Sequence, residues 1–159
     1  MSNIEQDAQL WIFNQIYGFN TIPPTGDTEI FTKAILICAK GDGVLSPAER
    51  NWVVGRAASL RSSGYELAKT YSADEALADV LANSSAIDKS GRRSIIYVAI
   101  QACAADGDFN QEERDKIHAM AQSLGIEEDV VNQIEEVCLE EAKTREKRIA
   151  LLFPEGAPY

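Results

Sequence analysis

The chain has 159 residues, 45% of them hydrophobic, with 15 lysines and arginines against 25 aspartates and glutamates, for a net charge of −10 and a pI near 4.6. That length suits one domain built on one core. The charge repels phosphate backbones, so nucleic acid is excluded as an expected partner, and cations or basic protein surfaces are favoured.

Along the chain, Ile4, Ala8, Trp11, Ile12 and Ile16 define an apolar stripe of a first helix over about residues 4 to 18, closed by Gly18 before Pro23-Pro24. Within it, Trp11, Phe13 and Tyr17 read as core packing, although such aromatics can also dock a partner. A second helix opens at Thr28, runs through Ile35 and Cys38, and stops at Gly41 or Gly43. Ser46-Pro47-Ala48-Glu49 has the pattern of a capping box with proline at the first helical position, so a third helix follows to about Ser62 with Trp52, Val53, Ala57 and Leu60 inward. A short turn of helix around Tyr65 to Thr70 comes next, and Ser72-Ala73-Asp74-Glu75 reads as another capping box ahead of Leu77.

From near Asp88 to Cys103 the apolar residues almost encircle the helix, which predicts the most buried element. Asn110-Gln111-Glu112-Glu113 caps the following helix, with Ile117, Met120, Ala121 and Leu124 inward. A last helix runs from about Glu127 to Leu151, acids first and Lys143, Arg145, Lys147 and Arg148 late, as the helix dipole favours. Nothing alternates as a strand does, so the expected fold is all-α, a single domain over 1–159 with about seven or eight helices.

Asp42-Gly43-Val44-Leu45-Ser46-Pro47-Ala48-Glu49-Arg50 returns as Asp106-Gly107-Asp108-Phe109-Asn110-Gln111-Glu112-Glu113-Arg114, at a constant shift of 106 − 42 = 64. The chain thus reads as an internal duplication, with a first repeat over about 28–63 and a second over about 88–125, related by a pseudo-twofold axis. Each copy is helix, tight turn, helix, with acidic oxygens at the turn.

Hard cations select such oxygens, usually six or more. Asp42 and Glu49 with Asp106 and Glu113 supply four carboxylates if the turns converge, and Asp108, Asn110 and Ser46 can assist. Two carboxylates about 6 Å apart repel by roughly 3 kcal/mol at an effective dielectric of about 20, which a cation would relieve. Against this stands the simpler reading that Glu49 and Glu113 only complete capping boxes and Asp-Gly only turns the chain. An EF-hand is rejected, because Gln111 stands where its turn glycine belongs and Ile117 where its bidentate glutamate belongs.

Other chemistry is poorly supplied. His118 is the one histidine and has no thiolate or second imidazole at zinc spacing. Cys38, Cys103 and Cys138 form no CxxC pair and read as buried hydrophobes in a reducing compartment. No nucleophile constellation or phosphate loop is present, so no enzymatic activity is expected. No apolar run reaches bilayer length, and Glu5 and Asp7 sit where a signal peptide would be basic, so the expectation is a cytoplasmic protein without a transmembrane segment.

Ala105-Asp106-Gly107-Asp108-Phe109-Asn110-Gln111-Glu112-Glu113, following an alanine-rich apolar helix, resembles the Ala-Asp-Gly signature of the tellurite resistance protein TerB family. The first copy departs from it: Gly41 replaces the alanine, and Val44 the second acid that Asp108 provides. The resemblance spans roughly residues 28 to 140. It implies a bacterial, all-helical, pseudo-symmetric domain acting in tellurite and other chemical stress, within protein assemblies peripheral to the inner membrane. It also implies that signature acids, here Asp42, Glu49, Asp106 and Glu113, bind divalent metal. The expectation is therefore a metal-binding interaction module, with calcium first and magnesium or manganese next, held by Asp42, Glu49, Asp106, Asp108 and Glu113; it is not a tellurite reductase. The alternative is a metal-free helical scaffold whose acids only cap.

Overall fold

Two helices form the centre of the molecule because their sequences offer apolar residues on nearly every side. The computed structural model describes residues 3–107 and 109–159, and in it α2 (Thr25–Lys40) packs along α7 (Arg92–Cys103). The run Ala34 to Ala39 is buried without a break, and α7 buries Ile95, Ile96, Val98, Ala99, Ile100, Ala102 and Cys103. Around this pair lie α1 (Asn3–Tyr17), α3 (Pro47–Ser59), α4 (Gly64–Thr70), α5 (Leu77–Leu81), α6 (Ser85–Ser90), α8 (Gln111–Ser123) and α9 (Glu128–Leu152). A single 3-10 turn, Ala104–Asp106, follows α7, and there is no strand among the described residues. The all-helical expectation holds, with nine α-helices among the described residues in place of seven or eight.

The two helix–turn–helix units are α2 with α3 and α7 with α8. Their matching extends to the far ends of α3 and α8. Ser62 N–H donates to Ala57 O and Arg61 N–H to Ala58 O, while Ile126 N–H donates to Ala121 O and Gly125 N–H to Gln122 O. Both ends are Schellman closures, and Arg61 and Gly125, 64 apart, share the left-handed position at φ 50° and 73°. A carbonyl at each end is then taken by a distant side chain: Gln9 Nε2 donates to Leu60 O at 3.1 Å, and Arg92 Nη1 to Leu124 O at 2.8 Å.

Three local expectations fail. In α1 the buried residues are Gln9 and Phe13, while Ile4, Trp11 and Ile16 face solvent at 77%, 63% and 39% exposure. The helix is rotated so that Gln9 reaches the end of α3, and that polar tertiary bond overrides the apolar stripe. The box at Ser72 does not form: α5 starts after Ala76 with no side-chain cap, Ala73 takes φ 59°, Asp74 pairs with Lys40, and Glu75 bonds Lys33 and Tyr71. The long apolar helix from Asp88 is two helices, α6 capped by Ser84 and α7 beginning after Gly91.

Candidate functional site

Each acidic turn is set by its own helix cap. Ser46 Oγ accepts from Glu49 N–H at 3.1 Å while Ser46 N–H donates to Glu49 Oε2 at 3.2 Å. In the second unit Asn110 Oδ1 accepts from Glu113 N–H at 2.9 Å while Asn110 N–H donates to Glu113 Oε2 at 3.2 Å. Both boxes are thus complete, and each glutamate commits one carboxylate oxygen to its cap.

The turns meet where α2 and α7 end. Cys103 Sγ lies 3.7 Å from Ala39 O, a contact between positions 64 apart. Burial pushes the Cys103 thiol up to about 12, helped by the negative charges of Glu49, Glu113 and Asp106 and opposed by Lys116. The Glu113 carboxyl is itself raised above its ordinary value, first by desolvation and then by Asp106 and Glu49, against the lowering effects of its capping bond and Lys116. One acid from the first turn and two from the second therefore share a single anionic field. Glu49 is 4% exposed within it, which places that side chain beneath the surface.

Lys116 is the positive element of this junction. Its stem crosses the first turn so closely that a Cβ on Gly41 would stand 3.1 Å from Lys116 Cδ, and one on Gly43 3.8 Å from its Nζ. Spacing alone does not reveal this, because Lys116 belongs to the second unit.

Of the five predicted ligands, Glu49, Asp106 and Glu113 are brought together. Asp42 is exposed, makes no hydrogen bond or ion pair among the described residues, and is not among the charges acting on Cys103 or Glu113. Asp108 lies outside the described residues. Among those residues no three carboxylate, imidazole or thiol groups close on one point as a metal site. The donor set fits a hydrated cation held by few carboxylates better than a fully protein-ligated one, since both glutamates are engaged in caps and Lys116 already offsets part of the charge.

The remaining reactive side chains have structural partners. His118 Nε2 and Glu135 Oε1 are 2.7 Å apart, and Arg114 binds the other Glu135 oxygen at 3.0 Å. Cys38 and Cys103 are buried and Cys138 is half-buried, all three free, with burial the first cause in lifting each thiol to about 12. Such thiols stay protonated at neutral pH and are poor nucleophiles and reductants.

A second concave region lies at the other end of α3, lined there by Arg56, Ala57 and Leu60, and has no counterpart in the sequence reading. It is a cavity of ≈ 410 Å³ between α1, the 18–24 segment, the start of α2, α3 and the α6–α7 junction. Phe13, Tyr17, Phe19 and Phe31 form an aromatic wall, with ring centroids 5.2 to 6.3 Å apart. The signal available was Phe13 and Tyr17 on one face; nothing local tied Arg56 of α3 to them.

No family model and no curated protein matches the chain. Among solved structures it matches the crystal structure of a tellurite resistance protein from Nostoc punctiforme, with 43% sequence identity over 100% of both chains and a TM-score of 0.96. Identity at that level over the full length carries more than fold, and it agrees with the Ala-Asp-Gly turn and the paired helical units described above. The chain belongs to the TerB-type family of tellurite resistance proteins.

Proposed function

We propose that this protein is a non-catalytic interaction module of the tellurite and chemical-stress response, and that a divalent cation joins its two helical units at the acidic junction. The observation that carries the reading is that acids from both turns act on one group: the Glu113 carboxyl, raised first by desolvation, is raised further by Asp106 of its own turn and by Glu49 of the other. A cation beside Asp106 relieves that repulsion, with the free oxygen faces of the capped glutamates, Asp42 and Asp108 as further or water-bridged donors. Calcium suits such an oxygen set, and magnesium or manganese suits it with more retained water. Binding then biases how the units sit against each other, and with it the surface offered to protein partners in an assembly at the cytoplasmic side of a membrane. No helix among the described residues is long and apolar enough to cross a membrane itself. A reductase role is disfavoured by the protonated thiols.

The completed capping boxes and Lys116 favour a second reading, a metal-free scaffold in which the acids only cap and turn. Calorimetric titration of the chelator-treated full chain with calcium, magnesium and manganese separates the two. The cation reading expects saturable heat that Asp106→Asn weakens by about tenfold or more. Absence of saturable heat for all three ions, or an Asp106→Asn titration identical to the native one, leaves the scaffold reading standing.

A further inference from the structure

Arg56 is a guanidinium set against aromatic rings without an acid to match it. It donates to the Tyr17 hydroxyl, and its guanidinium carbon lies 5.8 Å from the Tyr17 ring centroid and 5.6 Å from that of Phe31. Among the described residues no carboxylate lies within ion-pairing distance of it, although five other lysine and arginine side chains have such partners. Desolvation lowers its affinity for the proton, and the groups that oppose this are the Tyr17 and Tyr97 hydroxyls. Arginine nevertheless stays charged under all ordinary conditions. A desolvated charge without a counterion is unfavourable, and a guanidinium fork with five donors and one protein acceptor is ready for a planar anion.

The surroundings specify the rest of that anion. Arg56 lines the ≈ 410 Å³ cavity, whose size lies in the range of small-molecule sites, and its wall is mainly apolar, from Phe13, Phe19, Phe31, Ile22 and Ile87. Asp27, also on the wall, is held by Ser84 Oγ at 2.7 Å and is not among the charges acting on Arg56. Its carboxylate disfavours a ligand with a second negative charge. We propose that this cavity binds a monocarboxylate with an apolar tail, of the fatty-acid class, its carboxylate on the Arg56 fork and its hydrocarbon against the aromatic wall.

The test uses the full chain and two probes of equal length, decanoate and decan-1-ol, titrated by calorimetry below their aggregation concentrations. Decanoate is expected to bind about tenfold or more tightly than decanol, the size of a charge-assisted bond to a buried partner. Arg56→Gln should bring the two affinities together, and Arg56→Lys should leave an intermediate preference because the charge survives and the fork does not. Ser90→Phe, at an exposed position on the cavity rim, should weaken both probes while Arg56 is untouched. The proposal is overturned if decanoate gives no saturable binding, if both probes bind the native chain equally, or if Arg56→Gln with a native circular dichroism spectrum keeps the preference. Ser90→Phe binding both probes as the native chain does would also overturn it.

Discussion

The two acidic turns perform the same local task in different surroundings. Each closes a capping box, yet Glu49 is buried and Glu113 is half-buried, and the first turn lies under Lys116 while a Cβ at Gly107 in the second would meet nothing within 4 Å. The first turn carries Val44, 82% exposed, where the second carries Asp108. The register of a repeat therefore specifies hydrogen bonds within four residues, whereas burial and charge are imposed by the other unit. A symmetric motif becomes an asymmetric site.

The largest test of that difference is at the glycines. Gly41 sits at φ 56°, ψ −131°, a mirror-image region that other residues scarcely occupy, and its missing Cβ accommodates Lys116; Gly107, at φ 88°, ψ 0°, is in the ordinary left-handed region and open. Gly41→Ala should lose about 2 kcal/mol in urea unfolding and Gly107→Ala about 1 kcal/mol. The counterpart of Gly41 at the shift of 64 is Ala105, so an unchanged stability for Gly41→Ala would mean that the first turn accepts the residue the second carries and that the two are equivalent after all.

Next comes the pair of Schellman closures, in which Arg61 holds the left-handed position that Gly125 occupies 64 residues later. Arg61→Gly should raise stability by up to about 1 kcal/mol, reduced by the greater freedom glycine gives the unfolded chain. A loss on thermal melting would show that the Arg61 side chain, which bonds Ser59 O at 2.9 Å, outweighs its strained backbone.

A pH profile sharpens the comparison of the acids. Because the Glu113 carboxyl is raised in the folded chain above its ordinary value of 4.5, its contribution favours folding below that pH and is lost as the pH rises through the folded value. Glu113→Gln retains a capping-box side chain but does not titrate. Its melting temperature should therefore gain on the native protein between pH about 4 and pH about 7. A constant gap across that range would remove the like-charge account of the junction.

The smallest effect on the fold belongs to Val44→Asp, which supplies the acid that the first turn lacks. At an exposed site the change in stability should stay within about 0.5 kcal/mol. Cation affinity in the same calorimetric titration should nevertheless rise, and an unchanged isotherm would argue against the junction as the binding locus.

What could be read from the sequence was what depends on near neighbours. Ser46 with Glu49 and Asn110 with Glu113 form the predicted boxes because both partners lie on one turn of chain. The apolar encirclement of Ile95 to Cys103 marked the centre correctly for the same reason, each residue's burial following from its own polarity. Where a distant partner decides, the reading failed. Lys33, Lys40 and Tyr71 take the acids of the box expected at Ser72, and Gln9 turns α1 away from its apolar stripe to reach Leu60 and Arg61. In the candidate site, Glu49, Asp106 and Glu113 were legible as types and spacing, but the intrusion of Lys116 and the isolation of Asp42 depend on packing between units. The Arg56 cavity was invisible because its walls come from three separated stretches of chain, within residues 13–32, 56–62 and 86–94.

The length of α9 sets how its amides should behave towards solvent deuterium. Val131 is its buried residue, and the bond from Tyr97 to Glu141 at 2.5 Å is its farthest side-chain tether to another helix. From Glu141 to Leu152 the helix continues over about 16 Å of rise with Ile149 alone partly covered. A helix of that extent is marginal by itself in water, so protection should grade steeply along it, from slow exchange near Val131 to nearly free exchange at Leu152. This one rod is thereby a ruler along which a partner's footprint can be read as slowed exchange.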